Sequence, residues 1–309
     1  MPRIAYLGPS GTFTEQAARD LAAGFAGEGE LVPYDSVPAV LEAVRSAAVV
    51  AAGVPVENSV EGSVPATLDS LVSGDPVVAV RETTLPVKFD LLARPGTGLE
   101  QVRAVASHPH ALAQVREWLA THLPRAEQLA VNSTSAGAAK VVAGECDAAI
   151  TAPLAAEQYP QLVRLETGIA DVPDATTRFL LVQRPAPPPE PTGADRTSIA
   201  VVIADEVGAL AEVLAEFALR GINLSRIESR PTKERLGEYR FFLDFDGHVA
   251  DARIGDALAA LRRRCRSVQF LGSYPKADRV PADVCAKASE EAFATAAEWL
   301  ADVRAGKPV

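Results

Sequence analysis

The 309-residue sequence is poor in cysteine, histidine, positive charge and long apolar runs, and each shortage excludes something. Cys146, Cys265 and Cys285 are far apart, odd in number and in no metal spacing. They exclude a disulfide framework and predict reduced thiols in a cytoplasmic setting, with none in a nucleophile context. Of four histidines, only His108 and His110 in "SHPHALAQ" lie close together, so no metal site is expected. Lys and Arg number 30 against 40 Asp and Glu, a net charge of -10, which argues against a nucleic-acid partner. An anionic ligand must then be held by local groups. No segment approaches the ~20 apolar residues of a membrane helix. "MPRIAYLGPSG" shows no apolar stretch after a basic start, so neither a membrane partner nor a signal peptide is expected. "GPSGTFTEQAA" lacks the lysine of a Walker loop and the spacing of a dinucleotide fingerprint, and no cofactor is called for. There is no Ser-His-Asp elbow and no cysteine beside a base for covalent catalysis.

What is present divides the chain into three pieces. "RPAPPPEPTGAD", residues 184–195, holds five of 23 prolines and reads as a stiff linker, placed at 185–196. Before it, strand and helix signals alternate. "RIAYLG", "AAGVPVE", "VRAVAS", "QLAVN" and "DAAIT" read as strands, and "TFTEQAARDLAAG" reads as a helix with Thr12 and Glu15 in a capping box. Ser63 and Pro65 open a further helix. Such alternation implies a mostly parallel sheet covered on both faces. After the linker, residues 197–275 read as βαββαβ, an α+β ferredoxin-like unit, with Leu210, Val213, Leu214 and Phe217 on one helix face. Residues 276–309 are a tail with one alanine-rich helix carrying Val284, Ala288, Phe293 and Trp299.

Polar residues gather where strands end and helices begin. Gly8, Ser10, Gly11 and Thr12 form one cluster; Glu57, Asn58 and Ser59 a second; Ser107, His108, Pro109 and His110 a third; Ser133, Thr134 and Ser135 a fourth. In open α/β sheets that edge binds ligands, and helix amino termini favour anions. A single cluster is ordinary capping, whereas four suggest a site. "DATTRFLLV" adds Thr176, Thr177 and Arg178 at the entrance of an apolar strand, with Phe179 in the core. Glu57 could act as a general acid or could be an ordinary ion-paired carboxylate.

Taken in order, "YLGPSGTFTEQAA", "GVPVENSVEGSV", "SHPHALAQ", "STSAGAA" and "TTRFLLV" resemble the prephenate dehydratase family over residues 1–184. "GALAEVL" and "INLSRIESRP" resemble the ACT regulatory domain that this family carries. The resemblance implies a two-lobed, periplasmic-binding-protein-like (type II) catalytic domain. Lobe one would span about 1–76 and 176–184, and lobe two about 77–175. It implies a monofunctional hydro-lyase that converts prephenate to phenylpyruvate without a cofactor. Thr177 would assist departure of the ring hydroxyl. Asn58, Ser59, Ser107, Gln114, Ser133, Thr134, Thr176 and Arg178 would bind substrate, Arg178 through a carboxylate rather than through Asp174 or Glu57. Feedback by L-phenylalanine would use Gly208, Ala209, Leu210, Asn223, Leu224, Glu228 and Ser229 at the interface of a homodimer or homotetramer. Lys88 stands where other members commonly carry histidine, and its role is open. The alternatives are arogenate dehydratase and a non-catalytic solute-binding or amino-acid-sensing protein on the same fold.

Overall fold

The structure, a computed structural model, describes residues 1–25, 29–235 and 237–308. Leu236, within "TKERLGE", and Val309, the last residue of the tail, fall outside the described residues. Two compact units result: Met1–Ser70 with Thr83–Val182, and Leu71–Glu82 with Gln183–Val309.

The first unit opens with β1 (Arg3–Leu7), α1 (Phe13–Ala22), β2 (Glu30–Tyr34), α2 (Val37–Arg45), β3 (Ala51–Asn58), β4 (Gly62–Ser63) and α3 (Pro65–Leu71). Helix α1 starts where Thr12 Oγ1 accepts the Glu15 N–H at 3.4 Å, and it buries Ala17, Ala18 and Leu21. The return half of the expected capping box is shifted, because the Glu15 carboxylate accepts from Gly11 N–H at 2.7 Å. Ser36 caps α2 in the same way, and Pro65 stands at the first position of α3. Strand β1 pairs in parallel with β2 and β3. The sheet order is β5-β11-β3-β1-β2, with β5 (Val78–Pro86) and β11 (Thr176–Gln183) at its other side. Edge strand β2 carries Pro33, which an edge tolerates because a missing N–H breaks no inner ladder.

Beyond β5 the chain builds a second sheet. Its elements are β6 (Asp90–Ala93), β7 (Ala104–Ser107), α4 (Pro109–Ala113), α5 (Arg116–His122), β8 (Glu127–Ala130), α6 (Thr134–Ala143), β9 (Ala148–Thr151), α7 (Ala155–Gln158) and β10 (Val163–Glu166). The order is β10-β6-β9-β7-β8. Strand β7 runs parallel to β8 and β9, but β6 is antiparallel to β9 and β10, so the sheet is mixed rather than mostly parallel. One core cluster includes Phe89, Leu91, Val105, Leu119 and Ile150, and another includes Leu92, Ala138, Val141 and Ala149. Two crossovers join the sheets, and Val87 N–H donates to Ala175 C=O at 2.7 Å between them. Because β5 stays in the first sheet as far as Pro86, the outward crossover lies later than the residue 77 expected from the sequence.

The second unit contains β12 (Asp195–Val202), α8 (Ala209–Ala218), β13 (Leu224–Pro231), β14 (Tyr239–Asp246), α9 (Ala252–Arg264) and β15 (Ser267–Pro275). The order β13-β14-β12-β15, antiparallel throughout, is the expected ferredoxin-like arrangement. Val213 and Phe217 of α8 pack with Leu243, Phe245 and Leu261, while Leu210 and Leu214 are only half-buried. Strand β12 begins at Asp195, inside the expected linker, where Asp195 accepts from the backbone N–H groups of Thr192 and Gly193. In the tail, α10 (Glu290–Arg304) begins at a Ser289 cap, which leaves Val284 and Ala288 outside the helix expected to carry them. No residue of α10 is buried. Among the described residues no helix is long and apolar enough to cross a membrane.

Candidate active site

The first sheet brings the ends of β1 and β3 to the same edge as the start of β11. Ser59 N–H donates to Thr176 C=O at 2.9 Å, and Thr176 N–H donates to Ser59 Oγ at 2.9 Å. This double tie aligns the two strand ends. One step inward, Asn58 Nδ2 donates to Thr177 Oγ1 at 2.9 Å. The orientation of the amide is fixed independently. Asn58 Oδ1 accepts the backbone N–H groups of Val60 at 2.8 Å and Glu61 at 2.9 Å, so the nitrogen must be the end facing Thr177. Thr177 Oγ1 is therefore an acceptor in this bond, and its own proton is directed elsewhere.

Side chains alternate along a strand, so Arg178 leaves β11 on the face opposite Thr177. There its Nη1 lies 3.6 Å from Glu57 Oε2, with the Arg178 side chain only 10% exposed and that of Glu57 39%. The ordinary ion pair weighed against a substrate contact is thus present. Glu57 and Asn58 divide between the two faces in the same way, one beside Arg178 and the other beside Thr177. Lys88 is exposed just after the outward crossover.

The same edge meets the second sheet's helices. Gly11 sits at φ +82°, and a Cβ there would lie 2.3 Å from Gln158 Oε1 and 3.1 Å from Ser135 Oγ. Glycine is needed here both for the backbone conformation and for the space. The start of α6 is thereby placed against the loop after β1. Ser133 caps α6 by accepting Ala136 N–H at 2.9 Å, and buried Thr134 follows it. Ser107 is fully buried and donates its hydroxyl to Ile150 C=O at 2.6 Å. That proton ties β7 to β9, and the hydroxyl retains only acceptor capacity for any ligand. Gln114 ends α4, and its buried Oε1 has no hydrogen-bond partner among the described residues. Thr151 Oγ1, at the end of β9, is in the same condition. The sequence reading passed over Thr151, although a polar residue closing the strand "DAAIT" was the available signal. His108 Nδ1 accepts His110 N–H at 3.3 Å, which caps α4. Burial first, and the charge of His110 second, push the His108 pKa down and favour its neutral form.

In the second unit, Gly208, Ala209 and Leu210 line a cavity of about 210 Å³ with Tyr239 and Phe241. Gly208 is in the left-handed region at φ +85°, and a Cβ there would meet nothing within 4 Å. The turn requires this glycine for its backbone conformation, and the space beside it is open. Asn223, Leu224, Glu228 and Ser229 do not line that cavity. Leu224, Glu228 and Ser229 lie on edge strand β13, and Asn223 precedes it, donating to Asp246 Oδ2 at 2.9 Å.

Comparison with known proteins gives a consistent result. The family model described as prephenate dehydratase matches residues 4–187, and the ACT domain model matches 197–263. A prephenate dehydratase of Amycolatopsis methanolica is 58% identical over 308 residues, covering 99% of both chains. One from Mycobacterium ulcerans is 48% identical over 319 residues, covering 100% of this chain and 98% of the relative. The crystal structure of the Arthrobacter aurescens prephenate dehydratase in complex with L-Phe superposes with a TM-score of 0.91 at 45% identity. It covers 97% of this chain and 99% of that one.

Proposed function

The chain belongs to the prephenate dehydratase family, a family of hydro-lyases, and carries an ACT domain; from that premise we propose how its residues carry out the reaction. Prephenate presents two carboxylates and a ring hydroxyl on a cyclohexadiene. Breaking the bond to one carboxylate releases carbon dioxide and sends its electron pair into the ring. The hydroxyl leaves from the opposite ring carbon as the ring becomes aromatic. Aromatisation supplies the driving force, so the protein has to hold the dianion and deliver a proton to the departing oxygen.

One observation carries this reading: Asn58 donates to Thr177 Oγ1, which leaves the threonine proton free to be given to the leaving group. A threonine hydroxyl is a weak acid, and donation from Asn58 makes it a better donor by drawing on its oxygen. The dianion would lie between this strand edge and the start of α6, where Ser133, Thr134 and the backbone N–H groups offer positive potential. Gln114 Oε1, buried and lacking a donor, suits a hydroxyl of the substrate. Ser59 and Thr176 hold the two strand ends in register, and Ser107 holds β7 on β9. Arg178 would take a substrate carboxylate by loosening its 3.6 Å contact to the partly exposed Glu57 carboxylate.

For regulation, the proposed effector is L-phenylalanine, the ligand named in the Arthrobacter aurescens complex. Gly208, Ala209 and Leu210 offer one wall. Asn223, Leu224, Glu228 and Ser229, on and beside the edge strand β13, would supply the other from a second subunit, so the enzyme would be a homo-oligomer. On this reading the reaction belongs to cytoplasmic phenylalanine biosynthesis under feedback control.

The test is direct. Purified full-length protein is incubated with prephenate and with arogenate in separate reactions, and phenylpyruvate or phenylalanine is followed. Turnover of prephenate that L-phenylalanine suppresses is expected. Consumption of neither substrate overturns the enzyme reading, and turnover indifferent to L-phenylalanine overturns the regulatory one.

A further inference from the structure

We infer that Glu15 and Gln158 form a clasp between the two sheets of the first unit, positioning the Gly8–Thr12 loop over bound substrate. This rests on the reaction proposed above and makes both of them positioning residues for it. Glu15 is 8% exposed and lies in the first turn of α1, where its carboxylate would ordinarily return to the Thr12 N–H. Instead it accepts from Gly11 N–H at 2.7 Å and from Arg19 at 2.9 Å, both on its own side. A third donor, Gln158 Nε2 at 3.2 Å, comes from α7 on the other side. The first two bonds fix the carboxylate in direction, so it is an acceptor prepared in advance for a donor that arrives when the sheets approach. Gly11 clears the way, because any side chain there would collide with Gln158 Oε1 and Ser135 Oγ.

The two partners differ in a way that suits a reversible contact. Glu15 is buried and held by several bonds, whereas Gln158 is exposed at the end of a four-residue helix and can swing away at little expense. Breaking the bond strands no uncharged donor in the interior, since an exposed amide finds water. The loop that the clasp holds is the one following β1, at the edge where Thr177 and Asn58 lie. Closing it over the dianion removes water from the charges that bind the substrate and strengthens them.

Replacing Gln158 tests this without touching the substrate-binding set. Gln158→Ala is expected to raise KM for prephenate about 3- to 10-fold, the range for an ordinary hydrogen bond, because the exposure of Gln158 screens the charge it meets. kcat and the melting temperature should stay near wild type. Gln158→Glu is the more searching variant, because it sets two carboxylates against each other. Other ionisable groups facing this spot are Arg19 on α1 and Tyr6 on β1, with Glu157 beside Gln158 on α7. One of the paired carboxylates then has a raised pKa. Above that pKa the pair repels and KM is high; as pH falls through it, a shared proton restores the bond and KM returns toward wild type. Small-angle scattering of the ligand-free protein should follow the same pH course, expanded when the pair is ionised and compact when it shares a proton.

A Gln158→Glu enzyme with wild-type KM and wild-type dimensions across pH 5 to 8 would overturn the clasp. A lowered melting temperature without a KM change would likewise reduce Glu15 and Gln158 to a fold contact. If wild-type protein consumed no prephenate but scattering still showed the pH-dependent change, the clasp would stand and the proposed reaction would fall.

Discussion

The two sheets of the first unit offer polar side chains to the same region, yet they use their hydroxyls differently. At the start of β11, Thr177 accepts a bond from Asn58 and keeps its proton for something else. At the end of β7, Ser107 gives its proton to Ile150 C=O and is closed to further donation. Both are hydroxyls at the ends of apolar strands, and in sequence nothing separates them. Which atom receives the proton decides whether such a residue can do chemistry or only hold a fold.

That contrast can be broken most forcefully at Thr177. Thr177→Ala should lower kcat by ~10²–10⁴, the usual worth of a positioned proton donor, while circular dichroism and substrate binding remain close to wild type. Thr177→Ser should recover part of the loss. A second variant reverses the direction of the bond instead of deleting it. In Asn58→Asp an ionised carboxylate accepts the Thr177 proton, and kcat should fall by about 10- to 100-fold at neutral pH. A carboxyl group ordinarily titrates near pH 3.9. Protonation below that point restores a donor, so activity relative to wild type should rise as pH falls; a flat ratio would refute the directional reading.

The remaining two predictions address the second sheet. Gln114→Leu removes an unpartnered buried acceptor, so it should raise KM by about tenfold while leaving the protein as stable or slightly more stable. Ser107→Ala should do the opposite. It removes one buried bond and lowers stability by about 1 kcal/mol, seen in thermal melts, with kcat nearly unchanged. If Ser107→Ala proved the more damaging to turnover, the distinction between the two sheets would be lost.

Much of the architecture could be read from the chain because it rests on local signals. The caps at Thr12 and Ser133, the proline at α3 and the βαββαβ pattern after the linker all depend on near neighbours in sequence. Strands β2, β4, β5, β6 and β10 were not read; β2 and β10 lie at sheet edges and show the broken alternation that edges allow, while β6 is a four-residue buried segment inside its sheet with no alternation to mark it. The mixed pairing of the second sheet was hidden for a related reason: direction is set by which strand a segment meets, not by its residues. In the site, the clusters were legible from composition at strand ends, but their roles were not. The partner of Ser107 is Ile150, that of Asn58 is Thr177, and that of Glu15 is Gln158, all remote along the chain. Arg178 shows the same limit, because strand alternation separates it from Thr177 even though the two are adjacent in sequence.

The helix that closes the tail has a practical consequence. The chain holds two indoles: Trp118 stacks on His122 at 4.6 Å in the second sheet's layer, and Trp299 stands 56% exposed on α10. Ultraviolet emission should accordingly contain a red-shifted component that acrylamide quenches readily and a less exposed one that it quenches less. Each serves as a built-in reporter, the first for whatever comes to cover the tail and the second for rearrangement around the substrate-binding layer, with no label attached.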